Sequence, residues 1–568
     1  MKNVFLGILF LCLHQMAMSQ TESEVPQNYF HKPLDIPILL SGTFGELRSN
    51  HFHSGMDIKT QGRTELPVEA SAEGYISRIK IQRYGYGKAI YITHPNGYQT
   101  VYAHLNHFSP DIEAYVKQAQ YKKESYTIEL FPAEDKIKVN QGELIAYSGN
   151  SGSSGGPHLH FEIRDSNSRP MNPFLFGFKD IQDTKAPMIR GLYAYPLTKE
   201  SIVDGKRSRK KIKLSKIGKD TYKAEAIDAF GEIGFGFDAY DQFDLAYNKN
   251  GLYSAEAFEN GKKIFETKFD RFSFAETRYI NRMIDYAFFK EHKKRIQKLF
   301  LQSNLNLDLA QKNDHDGILR MDQDSTSITY RIDLKDYMGN TKTIQIPVET
   351  KRASELPEIE EKRTPYFAQS NYASAFDNNQ IDVYIPKNAL YEDTYLDIQF
   401  GFNEIKVHEY TTPLHKSMSI GFDVSEFSEE DKSKLYIAKI FPWGSYYYSN
   451  TKKKKNRFVT YTKDFGTYGL KFDNEKPTIK PVNFRDGKWM SNYRYLKLEI
   501  DDAETGIDAF HATVNGEFIL MEYDYKTKIL THDFNDNAVT ETRNKLKVVV
   551  TDKVGNTRIF EANFNRKK

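Results

Sequence analysis

Three short segments concentrate imidazoles. They are Asn50-His51-Phe52-His53-Ser54-Gly55-Met56-Asp57, Tyr102-Ala103-His104-Leu105 and Gly155-Gly156-Pro157-His158-Leu159-His160-Phe161-Glu162. Seven of the 15 histidines lie between His51 and His160. His158 and His160 stand at i and i+2, which on a strand sends both rings to one face. His53 and Asp57 are four apart with Gly55 between them, a spacing that favours a tight loop over a helix. Such a loop can turn an imidazole and a carboxylate toward one ion. Three N/O ligands plus water is the open set that a catalytic zinc requires, and zinc lowers the pKa of its water to about 7. A neutral imidazole nearby can then take the proton, and a second can stabilise an oxyanion or protonate a leaving amine. Whichever of His104, His158 and His160 are not ligands suit those tasks. His94, followed by Pro95-Asn96-Gly97, reads as a turn residue, and His51 and His107 as supporting or exposed groups.

These segments must be carried by strands. From 36 to 178 the chain shows short β-like runs between Gly-rich turns, including Gly74-Tyr75-Ile76-Ser77, Ala89-Ile90-Tyr91-Ile92 and Thr100-Val101-Tyr102-Ala103. Pro95-Asn96-Gly97 marks a hairpin. The polar stretch Glu113 to Asp135 breaks the rhythm and reads as an inserted loop or arm.

The 568 residues exceed one core and imply roughly three to five domains. With 37 Tyr, 39 Phe and 2 Trp, the aromatic content favours strands. A net charge of +3 gives no field suited to nucleic acid. Lys2, the apolar run Val4 to Leu13 and Ala17-Met18-Ser19 have the layout of a secretory signal peptide over residues 1–19. The run is too short to serve as a membrane span. The expected destination is export to the periplasm, cell envelope or extracellular space, with no transmembrane helix after cleavage. The single cysteine, Cys12, follows Leu11 rather than a small residue, which argues against lipidation. Cleavage would leave no cysteine, so a metal site must use His and carboxylates.

Beyond 179 an internal repeat appears. Asp183-Thr-Lys-Ala-Pro187 is echoed by Asp473-Asn-Glu-Lys-Pro477, and Asp336-Tyr-Met-Gly-Asn340 by Asp552-Lys-Val-Gly-Asn556. Between them, Gly251-Leu252 precedes Asn260-Gly261 by the interval that separates Gly506-Ile507 from Asn515-Gly516. The expectation is two immunoglobulin-like β-sandwich units, 183–350 and 473–568, with a third sandwich-like unit at 364–472. A helical insertion is expected around Arg278 to Leu301, and a linker from Val348 to Arg363. Lys452 to Lys455 read as a solvated hairpin tip. The fold class is therefore mostly β.

Taken together, Gly42-Thr-Phe-Gly45 to Asp57, Tyr102 to Leu105, Val139-Asn-Gln-Gly142 and Gly149-Asn-Ser-Gly152 to Glu162 resemble the lysostaphin/LytM-type zinc endopeptidases. The resemblance spans 36–178. It implies a small antiparallel β peptidase domain with one Zn2+ in a groove, His53, Asp57 and His160 as ligands, and His104 and His158 as catalytic histidines. It further implies hydrolysis of peptide bonds in bacterial peptidoglycan, with peptidoglycan peptides as partners and other envelope proteins as candidates for the C-terminal units. His51 departs from the family, which often has Arg two residues before the first ligand. The alternative expectation is a non-enzymatic envelope factor that binds the wall or activates another wall hydrolase. A zinc protease acting on Gly-rich proteins is a third.

Overall fold

A computed structural model describes residues 25–178, 181–302, 307–312, 314–323, 326–358 and 362–567. Residues 1–19, which the sequence suggests are a signal peptide, lie outside the described residues together with Cys12. No helix among the described residues is long and apolar enough to cross a membrane.

The histidine-rich region is built on one antiparallel sheet. Its path runs β1 (Leu40–Gly42), β2 (Met56–Lys59), β11 (His158–Arg164), β6 (Gln99–Leu105), β5 (Lys88–Thr93), β4 (Gly74–Ile81) and β8 (Ile128–Leu130), with the short β9 (Lys138–Val139) also paired to β4. A small second sheet joins β3 (Pro67–Glu69), β10 (Leu144–Tyr147) and β7 (His107–Phe108). Alternation in β11 divides its labour. Leu159, Phe161 and Ile163 enter the core with Ile58, Ile90, Ile92 and Tyr102, while His158, His160, Glu162 and Arg164 share the other face. β11 lies between β2 and β6, with His160 opposite Asp57 on one side and Ala103 on the other. Three adjacent strands thus bring segments about fifty residues apart in sequence to one patch.

The stretch Glu113–Asp135, expected to be an inserted loop or arm, is mostly helix and strand rather than irregular loop. It continues helix α1 (Pro110–Lys123), which starts with Pro at its first turn and ends on Glu124 in the left-handed region. It then supplies β8, the edge strand on β4, with Ile79 opposite Leu130. Ile112 and Val116 bury one helix face. Polarity concealed this helix because its exposed face carries most of its residues.

The rest of the chain is also predominantly strand. Strands between Met188 and Thr350 are hydrogen-bonded into a thirteen-stranded system. The helical insertion is shorter than expected: two helices, Ile280–Met283 and Tyr286–His292, give way to a strand at Gln297–Lys298. The linker also begins later than expected, because strand Thr341–Thr350 runs through Val348. Residues 366–472 form two five-stranded sheets and a strand pair around their own core, and 478–565 form a four- and a five-stranded sheet. Lys452–Lys454 lie exposed on the strand Thr451–Lys454, and the turn follows at Lys455 and Asn456.

The histidine-bearing sheet is gripped from two sides. Phe44 and Phe52 pack with Phe269 and Phe272 of the 188–350 unit, so the residue next to His53 is anchored in a neighbouring core. On the other side α1 docks the last unit. Tyr121 Oη donates to Asp536 at 3.0 Å, Lys117 pairs with the same carboxylate, and Lys88 reaches Glu522 at 2.8 Å.

Candidate metal centre

His53 sits in the loop before β2. Its Nδ1 lies 2.7 Å from the Thr43 carbonyl oxygen, an acceptor only, so in the neutral ring Nδ1 carries the hydrogen and Nε2 a lone pair. His160 is held oppositely. Its Nε2 donates to Glu162 Oε1 at 2.8 Å, which frees Nδ1. The two free nitrogens face each other at 3.1 Å, and Asp57 Oδ1 lies 3.0 Å from the first and 2.8 Å from the second. Tetrahedral ligands at zinc bond lengths of about 2.0–2.1 Å stand about 3.3 Å apart, so this spacing matches one ion's donor set. Two lone pairs and a carboxylate, all buried, otherwise repel. A cation fits this point.

Electrostatics agree. Burial favours the neutral form of Asp57, but His53, His158 and His160 overcome it and hold the carboxyl well below its usual range. Burial likewise opposes charge on His160, yet its bonds to Asp57 and Glu162 raise it to about 9. The pocket selects positive charge at His160 Nδ1, from a proton or from a metal.

Two more imidazoles flank the centre. His158 Nδ1 donates to the Gly156 carbonyl at 2.8 Å, and its Nε2 lies 3.5 Å from Asp57 Oδ1. His104 Nδ1 donates to the Ser151 carbonyl at 2.9 Å. The two rings are 4.8 Å apart. His104 has φ +60°, a left-handed backbone costly for a residue with a side chain. It sits where β6 slips register against β5, between the pairs Lys88–Leu105 and Ile90–Tyr102. That irregularity re-aims the ring toward His158. Burial, followed by the nearby His160 and His158, pushes His104 down to about 3, leaving it neutral near pH 7.

All five residues singled out by spacing and resemblance therefore converge. The other histidines do not join them. His51 is exposed and contacts Asn50, His107 pairs with Glu65, and His94 is buried on the Glu73 carbonyl and the Thr100 hydroxyl.

Several supporting residues escaped the sequence reading. Glu162, fully buried, accepts from His160, from Ser54 at 2.7 Å, from Tyr86 and from Arg164 at 2.6 Å. Arg48 Nη2 lies 3.0 Å from Asp57 Oδ2 and 2.9 Å from Glu46, a guanidinium brought to the site while His51 stays outside. The i+2 spacing of Glu162 from His160 was a usable signal. Nothing local marked Tyr86 or Thr43.

A family model described as peptidase family M23 matches residues 51–121 and 128–173. The match encloses all five residues. Residues 51–173 are a peptidase family M23 domain. The match is interrupted at 122–127, inside the stretch 113–135 that the sequence marks as an insertion. A Zu5-like domain matches 365–473. The M23 region is 41% identical over 107 residues to the DD-carboxypeptidase/endopeptidase Mpg of Neisseria meningitidis serogroup B, covering 19% of each chain. It is 32% identical over 106 residues to the peptidoglycan DD-endopeptidase ShyA of Vibrio cholerae, again 19% of each. The chain thus spans about a fifth of the length of these relatives. The catalytic domain of lysostaphin from Staphylococcus simulans aligns over 24% of this chain and 92% of its own, at 22% identity and a TM-score of 0.19.

Proposed function

We propose that this chain is an exported zinc metalloendopeptidase that hydrolyses peptide bonds of bacterial peptidoglycan. The observation that carries the reading is the convergence of His53 Nε2, His160 Nδ1 and Asp57 Oδ1 within 3.1 Å of one another. These three would hold one Zn2+. Zinc supplies there a Lewis acid and a water acidic enough to ionise near neutrality. His104 and His158 are the proton-handling groups. With its Nδ1 hydrogen on Ser151, neutral His104 presents Nε2 as an acceptor for the water proton. His158 Nε2, beside Asp57, is placed to stabilise the developing oxyanion or to pass a proton to the leaving amine. An open cleft of about 620 Å³, lined by Ile36, Ser41, Lys59, Gly155 and His158, ends at Asp57 and accommodates an extended peptide.

The peptidoglycan substrate and envelope destination rest on the relatives' names and on the signal-like residues 1–19. The parsing into 36–178, 183–350, 364–472 and 473–568 belongs to the same proposal, with the later, sandwich-like units positioning the M23 domain or meeting other envelope proteins. The test is digestion of purified cell wall with product masses read out. His160→Ala should lose zinc and activity. His104→Ala should retain zinc and lose turnover by roughly 10²–10⁴-fold, the range for a general acid–base group. Full cleavage of the wall by either variant refutes the assignment.

A further inference from the structure

Two trios of aspartates outside the M23 domain occupy corresponding places in the repeated units. In each trio, one carboxylate oxygen per residue lies within 4.8 Å of the others: Asp183, Asp241 and Asp336 in the first, Asp473, Asp502 and Asp552 in the second. The correspondence extends to the supporting bonds. Asp336 accepts the Asn340 amide at 2.9 Å, and Asn340 Nδ2 donates to the Asp183 carbonyl at 3.0 Å. Asp552 accepts the Asn556 amide at 2.8 Å, and Asn556 Nδ2 donates to the Asp473 carbonyl at 2.9 Å. The Asp-x-x-Gly-Asn turn and the Asp that opens each unit are thus one device used twice.

Acid clusters alone say little, but this one is accompanied by buried polar atoms left without partners. Asp241 is 1% exposed and its Oδ1 has no hydrogen-bond partner; Asp183 Oδ2 and Asp552 Oδ2, on residues 9% and 1% exposed, also lack one. Asn250, 3% exposed and not one of the acids, leaves both amide atoms unsatisfied. It exchanges both backbone bonds with Asp241, and directly opposed residues in an antiparallel pair project to the same face. Its side chain therefore shares a face with that of Asp241. Leaving such groups unsatisfied costs about 1–3 kcal/mol each, and more for a charge. Oxygen donors only, with neither His nor Cys, select a hard cation, and an irregular mix of carboxylate and amide oxygens suits Ca2+ better than the strict octahedron of Mg2+.

We propose that Asp183, Asp241 and Asp336, with Asn250, bind one Ca2+, that Asp473, Asp502 and Asp552 bind a second, and that each ion fastens a unit to the segment leading into it. The first site sits against the M23 domain. Tyr337, next to Asp336, stacks on Phe174 at 4.9 Å and donates to its carbonyl at 3.0 Å. Phe243, two residues past Asp241, meets the same ring. At the second site the Asp473 amide donates to the Lys434 carbonyl of the preceding unit at 3.0 Å. Calcium would then set how rigidly the M23 domain is held.

The zinc-loaded full-length chain, stripped of calcium, is titrated with Ca2+ by calorimetry and by tyrosine-sensitised terbium luminescence, for which Tyr337 is well placed. The expected result is two equivalents bound. Asp241→Asn should remove one, Asp552→Asn the other, and the double variant both. Asp241→Asn also relieves carboxylate repulsion, so its calcium-free Tm should equal or exceed that of the wild type while its Ca2+-induced rise disappears. Where a variant fails to fold, the wild-type titration decides. No uptake at about 1 mM Ca2+, the weak end for extracellular calcium modules, overturns the proposal, as does uptake unchanged in the double variant.

Discussion

Replacing Glu162 by Gln keeps the side chain's shape and removes its charge at a position with no solvent exposure. One carboxylate oxygen accepts from His160, Ser54 and Tyr86, and the other meets Arg164. An amide offers only one acceptor oxygen. If that oxygen keeps the His160 side, the NH2 group opposes the Arg164 guanidinium, itself 7% exposed. If it turns to Arg164, the NH2 opposes three donors and the His160 tautomer is no longer held. Loss of one partner from a buried ion pair costs about 3–5 kcal/mol. Loss of the group that orients a metal-binding imidazole lowers metal affinity about 10–100-fold, or about 1.4–2.7 kcal/mol. Zinc competition against a chromophoric chelator measures the second quantity, and urea unfolding of the metal-free chain measures the first. The expected outcome is a fall in both. Wild-type zinc affinity in a folded Glu162→Gln chain would refute the claim that this carboxylate sets the His160 tautomer.

Two further predictions follow from the M23 domain. A Cβ on Gly55 would stand 2.2 Å from the Phe161 carbonyl oxygen and 2.9 Å from Glu162 Cγ, so Gly55→Ala must push the His53–Asp57 loop off β11; zinc binding should fall at least tenfold, and unchanged binding would show that the loop can relax. His94 gives a pH dependence. Burial holds its imidazole down to about 4, against about 6.5 in an unfolded chain. The unfolded state therefore takes up the proton first as pH falls, and stability present above pH 6.5 is lost progressively toward pH 4, by up to about 3 kcal/mol. Denaturant unfolding across that window should show the loss, and His94→Gln should flatten it; an identical slope in the variant would rule out His94 as the source.

The site was unusually legible for its size. His158 and His160 alternate on a strand, and the Gly55 loop brings His53 and Asp57 together, so spacing alone points to a possible metal site. Naming the ligands among them took the resemblance. The helix α1 was missed because few of its residues are buried, and the sequence signal of a helix is its apolar stripe. The shared bonds of Glu162, Tyr86 and Arg48 were illegible because each joins residues far apart in the chain.

By itself the sequence determined that the chain is mostly β, that its second part repeats, and which five residues could do chemistry near one ion, since period-2 alternation and turn residues are local properties. Only the tertiary structure decided which ring nitrogen of each histidine is free, because that is set by a partner from another segment: Thr43 for His53, Glu162 for His160, Ser151 for His104. It also decided that the His53–Asp57 loop is clamped through Phe52 by a neighbouring core and that α1 carries the last unit. Contacts between distant segments have no periodicity to read, and they are what turn five suitable residues into one site.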